Sequence, residues 1–154
     1  MLPQHFNIRV YGLTFSKGNI LLTDEIRFGK KMTKFPGGGL EFGEGTIECL
    51  KRECREEMGQ EIKVTSHFYT TDFYQPSYFI KPPAQLISIY YLFEIVGIQK
   101  FKTVETPYGF SEYKEGAQVF RWYPVGKLTE SDVSFPIDQK VVRLIKERYA
   151  SGII

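Results

Sequence analysis

The chain is poor in cysteine: it has only Cys49 and Cys54. They lie five residues apart, which builds neither a disulfide framework nor a cysteine metal motif, and they read as helix filler in a reducing compartment. A dominant charge is also missing. The formal net charge is +2 and the pI about 8.4, too mild for an RNA or DNA polymer but suited to a small anionic ligand. Long apolar runs are absent too. The stretch Leu86–Val96 is interrupted by Ser88 and Glu94 and is too short to cross a bilayer. The N-terminus lacks a basic segment followed by an apolar run, so no secretory leader is expected. No membrane partner and a cytoplasmic location follow as expectations. No repeat, low-complexity tail or linker divides the chain, which predicts a single domain over residues 1–154.

What is present is ordinary for a globular domain, with 42% hydrophobic and 25% charged residues among 154. Aromatics are plentiful, with Tyr at 10 and Phe at 13. They suit strands, and they suit a cleft that stacks a base. Strands are predicted at Ile8–Phe15, Ile20–Asp24, Thr33–Phe35, Ile62–Phe73, Leu86–Val96 and Gln118–Pro124, with Leu86–Val96 central to a sheet. Gly29-Lys30-Lys31 reads as a polar loop, Gln75–Pro83 as a loop with three prolines, and Gly109–Ala117 and Gly126–Ser134 as polar connectors. A helix is predicted from a Thr46 cap to Met58, with Gly59 as its stop, and a second over Asp138–Ala150. Many strands with one internal and one terminal helix indicate a mixed α/β domain.

The densest chemistry lies between Gly38 and Gln60, after Phe35-Pro36-Gly37. Glycines 37 to 39 permit a tight turn and bring backbone carbonyls close to a ligand. Glu44 rides on a second turn between Gly43 and Gly45. In the helix, Ile47, Leu50, Cys54 and Met58 form an apolar stripe, and Glu53, Glu56 and Glu57 fall on another side. Three acids on one polar face repel one another unless a cation is present. Mg²⁺ would take such oxygen ligands and serve phosphate chemistry. Arg52 offers a planar fork to orient a carboxylate. Glu-rich helix faces are commonly only solvated. Here glycines, arginine and acids occur together at fixed offsets, which favours a site. An ATPase phosphate loop is excluded because no Lys-Ser or Lys-Thr follows the glycines, and a dinucleotide fingerprint because its strand–turn–helix context is missing.

The pattern Gly, five residues, Glu, seven residues, Arg-Glu-apolar-any-Glu-Glu-any-Gly resembles the signature of the Nudix hydrolase family. Gly38, Glu44, Arg52-Glu53, Cys54, Glu56-Glu57 and Gly59 fill it in turn. Gln60 departs from it, standing where an apolar residue is usual. A local packing variation, with Ile62 covering the same surface, is the expectation there.

The resemblance implies a Nudix-type α/β/α sandwich with a mixed central sheet. It implies a Mg²⁺- or Mn²⁺-dependent hydrolase that cleaves the diphosphate of a nucleoside diphosphate derivative. Glu53, Glu56 and Glu57 would bind metal, Gly37 would add its carbonyl, and Glu44 would support the loop or a further ion. The general base would be Glu53 or a later loop glutamate, of which Glu115 is preferred to Glu112.

Substrate markers conflict. Pro76 matches ADP-ribose-cleaving relatives, and Tyr78 matches dinucleoside-polyphosphate cleavers. Asp138 matches the base reader of relatives that cleanse the nucleoside triphosphate pool, although N-capping is its simpler role. Lys30, Lys31 and Lys34 are candidates for terminal phosphates. Phe73, Tyr74, Tyr78, Phe110 and Tyr113 are candidates for stacking. A non-nucleotide pyrophosphate substrate and a non-catalytic nucleotide-sensing domain stay open, and a homodimer is plausible because relatives often pair.

Overall fold

A computed structural model describes residues 2–77 and 81–154. In chain order its elements are β1 (His5–Leu13), β2 (Phe15–Ser16), β3 (Asn19–Arg27), β4 (Lys30–Lys34), β5 (Gly37–Gly39), α1 (Thr46–Met58), β6 (Ile62–Thr70), β7 (Pro76–Ser77), β8 (Ala84–Ile95), β9 (Gln118–Pro124) and α2 (Pro136–Ala150). Short 3-10 turns occupy Val125–Lys127 and Glu130–Asp132. The fold is mixed α/β with parallel and antiparallel strand pairs, as expected. The chain divides into two compact units, Met1–Thr14 with Pro36–Phe101, and Phe15–Phe35 with Lys102–Ile154.

The first unit is built on a sheet of order β5-β1-β8-β6, with β7 also on β8. β8 is central, as its composition predicts. It runs parallel to β1 and antiparallel to β6. The glycines 37 to 39, expected as a turn, form the short strand β5 opposite Arg9, Val10 and Tyr11. Helix α1 packs on β5, β1 and β6 through buried Cys49, Leu50, Cys54 and Met58. Ile47 belongs to the same stripe by spacing, yet in the first turn it stays 43% exposed. Cys49 is covered instead, with its Sγ 3.4 Å from the Gly39 carbonyl. The helix cap is Gly45 rather than Thr46. Glu48 reaches back to accept the Gly45 N–H at 3.1 Å, half of a capping box. Thr46 is already helical, and its hydroxyl lies 2.6 Å from that of Tyr91. Gly59 ends the helix in the left-handed region, as predicted.

Gln60 does not behave as the apolar residue it replaces. It is fully buried, its amide donates to the carbonyls of Glu61 and Val96 at 3.2 Å each, and its oxygen accepts the Lys100 N–H at 2.8 Å.

The second unit has the antiparallel order β2-β3-β4, with β9 on β3. β3 runs past Asp24 to Arg27 because both acids in its middle find buried cations. Asp24 meets Arg121 at 2.7 Å, and Glu25 meets Lys34 at 3.0 Å. Thr33 Oγ1 and the Tyr108 N–H also donate to Asp24, so the buried charge is well satisfied. Phe28 and Gly29 both have positive φ, 54° and 70°, and make a two-residue hairpin turn. The expected loop Gly29-Lys30-Lys31 is therefore split, and Lys30 and Lys31 open β4. Helix α2 begins two residues earlier than predicted because Pro136 suits a first helical position. No helix among the described residues is long and apolar enough to cross a membrane.

Candidate active site

Arg52 organises the acidic segment of the first unit. Its Nε and Nη2 grip Glu44 at 2.9 and 2.8 Å, a two-pronged pairing. Nη1 reaches Glu53 at 3.0 Å and Glu56 at 3.1 Å. Nη2 also donates to the Gly39 carbonyl at 3.0 Å. One guanidinium thus ties the segment after β5 to the acidic face of α1. Glu44 in turn accepts the Glu41 N–H at 3.0 Å. The hydrogen bond from Arg52 is the main reason that the Glu44 carboxyl is held down at about 2. The same contact raises Arg52.

Glu53 and Glu44 are largely covered, each with a side chain 13% exposed, whereas Glu56 is 59% exposed. Gly38 leaves the room that Glu53 occupies: a Cβ there would lie 2.5 Å from the Glu53 Cδ and Oε1. Gly37 has φ 143°, and a Cβ would collide with the Val10 carbonyl. Glu57 is half-buried. Burial, then the charges of Glu57 and Glu53, pushes the Cys54 thiol up. Burial, then Glu44, pushes Cys49 up to about 12. Both cysteines are inert thiols here.

Among the described residues no three His, Cys, Asp or Glu side chains are already gathered as ligands, because the acids lean on Arg52 instead. The donor chemistry nevertheless fits Mg²⁺ or Mn²⁺. It is all oxygen and it is acidic.

The remaining predicted residues belong to other elements. Glu115 belongs to the second unit, where its two oxygens accept the N–H groups of Phe28 at 2.8 Å and Gly29 at 2.9 Å. These bonds, Gly29 first, lower its pKa. Glu115 therefore caps a hairpin turn. Lys34 is buried on Glu25. Asp138 is buried too, 2% exposed at the third position of α2. The cap position of that helix is Phe135, so the N-capping expectation for Asp138 fails. Pro76 opens the short strand β7, and Tyr78 lies outside the described residues. Sequence reasoning missed that Arg52 donates to the Gly39 carbonyl and to the Cys49 sulfur. The three-residue spacing of Cys49 from Arg52 was the available signal.

An acid-rich helix thus stands beside a glycine strand on a mixed α/β scaffold. The family model described as NUDIX domain matches residues 3–145. The chain belongs to the NUDIX family. Solved structures agree on the fold. The ORF135 protein of E. coli is 17% identical, with 96% of this chain and 94% of that one covered and a TM-score of 0.71. A NUDIX hydrolase from Nitrosomonas europaea is 18% identical, with 96% and 90% covered and a TM-score of 0.67. An ADP-ribose pyrophosphatase from Streptococcus suis is 13% identical, with 93% and 91% covered and a TM-score of 0.59. No curated protein matches the chain.

Proposed function

We propose that the protein hydrolyses the diphosphate linkage of a nucleoside diphosphate derivative with Mg²⁺ or Mn²⁺. The observation that carries this reading is the gathering of Glu44, Glu53 and Glu56 by one arginine beside a glycine strand. Glu53, Glu56 and Glu57 would hold the cation, and the family signature adds the Gly37 carbonyl. A cation held there supplies positive charge to the diphosphate oxygens and makes a water more acidic. Water oxygen attacks one phosphorus, the bridging P–O bond breaks, and a carboxylate takes the proton.

Glu53 is our choice for that base. It is covered, faces the gap at Gly38, and turns on Arg52. Glu115 is the weaker base, since its oxygens already accept two backbone N–H groups. Arg52 is a positioning residue that keeps Glu44 and Glu53 in place. Lys34 and Asp138, interior polar groups of the second unit, are proposed to rank substrates.

The test is a panel of ADP-ribose, nucleotide sugars, dinucleoside polyphosphates and nucleoside triphosphates, with products separated by chromatography. Two monophosphate products from ADP-ribose or a nucleotide sugar support the reading. Pyrophosphate release from a triphosphate as the dominant reaction overturns the substrate class. No turnover of any member, with divalent metal bound, overturns the nucleotide reading as a whole.

A further inference from the structure

A guanidinium has five N–H groups in a fixed plane, and Arg52 uses all of them. Nε donates to Glu44 at 2.9 Å, and Nη2 donates to Glu44 at 2.8 Å and to the Gly39 carbonyl at 3.0 Å. These three bonds fix the plane. Nη1 gives its two hydrogens to Glu53 at 3.0 Å and to Glu56 at 3.1 Å. One side of the group is thus tied to the segment after β5. The other side is tied to two acids proposed as cation ligands.

The Glu56 carboxylate therefore has two claims on it. When it turns to a cation, one Nη1 hydrogen loses its acceptor. The Arg52 side chain is only 21% exposed, so water replaces that acceptor poorly, and a charged donor left unpaired is costly. A second acid within reach would remove the conflict.

Glu41 is placed to do so. Its Oε1 stands 3.6 Å from Nη1, within ion-pair range but outside hydrogen-bond range. Its main chain is anchored, because its N–H donates at 3.0 Å to Glu44 Oε1, the same oxygen that Arg52 Nη2 grips. Its side chain is 67% exposed and has room to turn, as has that of Glu56 at 59%. Glu44 and Glu53, each 13% exposed, are held. Exchange on Nη1 is thereby confined to Glu56 and Glu41. A surface ion pair as long and as exposed as Glu41–Arg52 contributes next to nothing to stability. A Glu41 with no further role would be silent in every assay.

We propose that Glu41 is a positioning residue that accepts the Nη1 hydrogen of Arg52 when Glu56 turns from Arg52 to a divalent cation. Arg52 keeps its grip on Glu44 and Glu53 throughout. The inference rests on the reading of Glu56 as a cation ligand and on no particular substrate.

The experiment measures Mn²⁺ affinity by electron paramagnetic resonance, and thermal unfolding in EDTA, for the full chain and for Glu41→Gln, Arg52→Lys and the double variant. Glu41→Gln is expected to bind Mn²⁺ at least about threefold more weakly and to unfold in EDTA at the parent's temperature. In the Arg52→Lys background, which keeps the charge but has no second prong to pass on, Glu41→Gln is expected to change the affinity by less than about twofold. Parental affinity in Glu41→Gln overturns the proposal. So does an equal loss in both backgrounds, which would assign the effect to the negative charge of Glu41 alone. A lower unfolding temperature of Glu41→Gln in EDTA would make its role structural and overturn it as well. Absence of Mn²⁺ binding by the parent overturns it together with the metal site. A parent that binds Mn²⁺ yet hydrolyses no member of the substrate panel overturns the hydrolase reading alone, and the affinities still decide the role of Glu41.

Discussion

A methyl group at position 38 would press on the Glu53 carboxyl, and that carboxyl has Arg52 on its other side. Gly38→Ala is therefore expected to lower kcat by at least about 100-fold, since roughly an ångström of misplacement is enough for that. Steady-state kinetics at saturating Mg²⁺ checks it. Arg52→Lys keeps the charge but loses the fork that holds Glu44 while touching Glu53 and Glu56. A kcat loss of about tenfold or more is expected, with KM nearly unchanged, as for a residue that orients others. Glu44 also predicts an acid limb of stability. Its folded value is about 2 against an ordinary 4.5. Its contribution to stability is full above about pH 4.5 and is lost as pH falls toward 2, because the unfolded chain takes the proton first. Denaturant midpoints of the parent and Glu44→Gln should converge across that window. A constant difference between pH 5 and pH 2 would contradict the pairing.

Among the elements, α1 was the most legible in the sequence. Its helical spacing, its Gly59 stop and its acidic face all follow from local rules. Its first turn did not. Thr46 had the composition of a cap, but Glu48 caps Gly45 and Thr46 turns to Tyr91. Gln60 was harder still. Position and composition suggested packing, whereas its partners Val96 and Lys100 stand 36 and 40 residues away. No local pattern reveals such partners. Gln60→Leu would leave the Lys100 N–H without its acceptor and the Val96 carbonyl without this donor, and is expected to cost roughly 1–3 kcal/mol. Urea unfolding measures it, and a neutral or stabilising result would mean that packing outweighs these bonds. Glu115 illustrates the same limit. The sequence offered it as a later loop glutamate that could act as base, but its donors lie 86 and 87 residues away on the β3–β4 turn. The buried Asp24–Arg121 pair explains why β3 outruns the stretch its apolar residues suggested. Asp24→Asn should destabilise by about 3–5 kcal/mol, the usual result of stranding one buried charge.

For the whole molecule, the described core is mainly aliphatic and aromatic side chains, and the fold is expected to hold without a divalent ion. Chelation should therefore abolish turnover while leaving the far-ultraviolet circular dichroism unchanged. Divalent metal should raise the melting temperature modestly, because it relieves repulsion among the acids of α1. Loss of secondary structure in EDTA would assign the metal a structural place instead.

The most direct test measures Mn²⁺ affinity by electron paramagnetic resonance and turnover on the best substrate of the panel, in the same samples of parent and of Glu56→Gln and Glu57→Gln. The account expects both variants to bind Mn²⁺ more weakly by at least about tenfold and to lose nearly all turnover, with the parent fold intact. Near-parental turnover in both variants at saturating metal would contradict the assignment of the acidic helix as the catalytic centre.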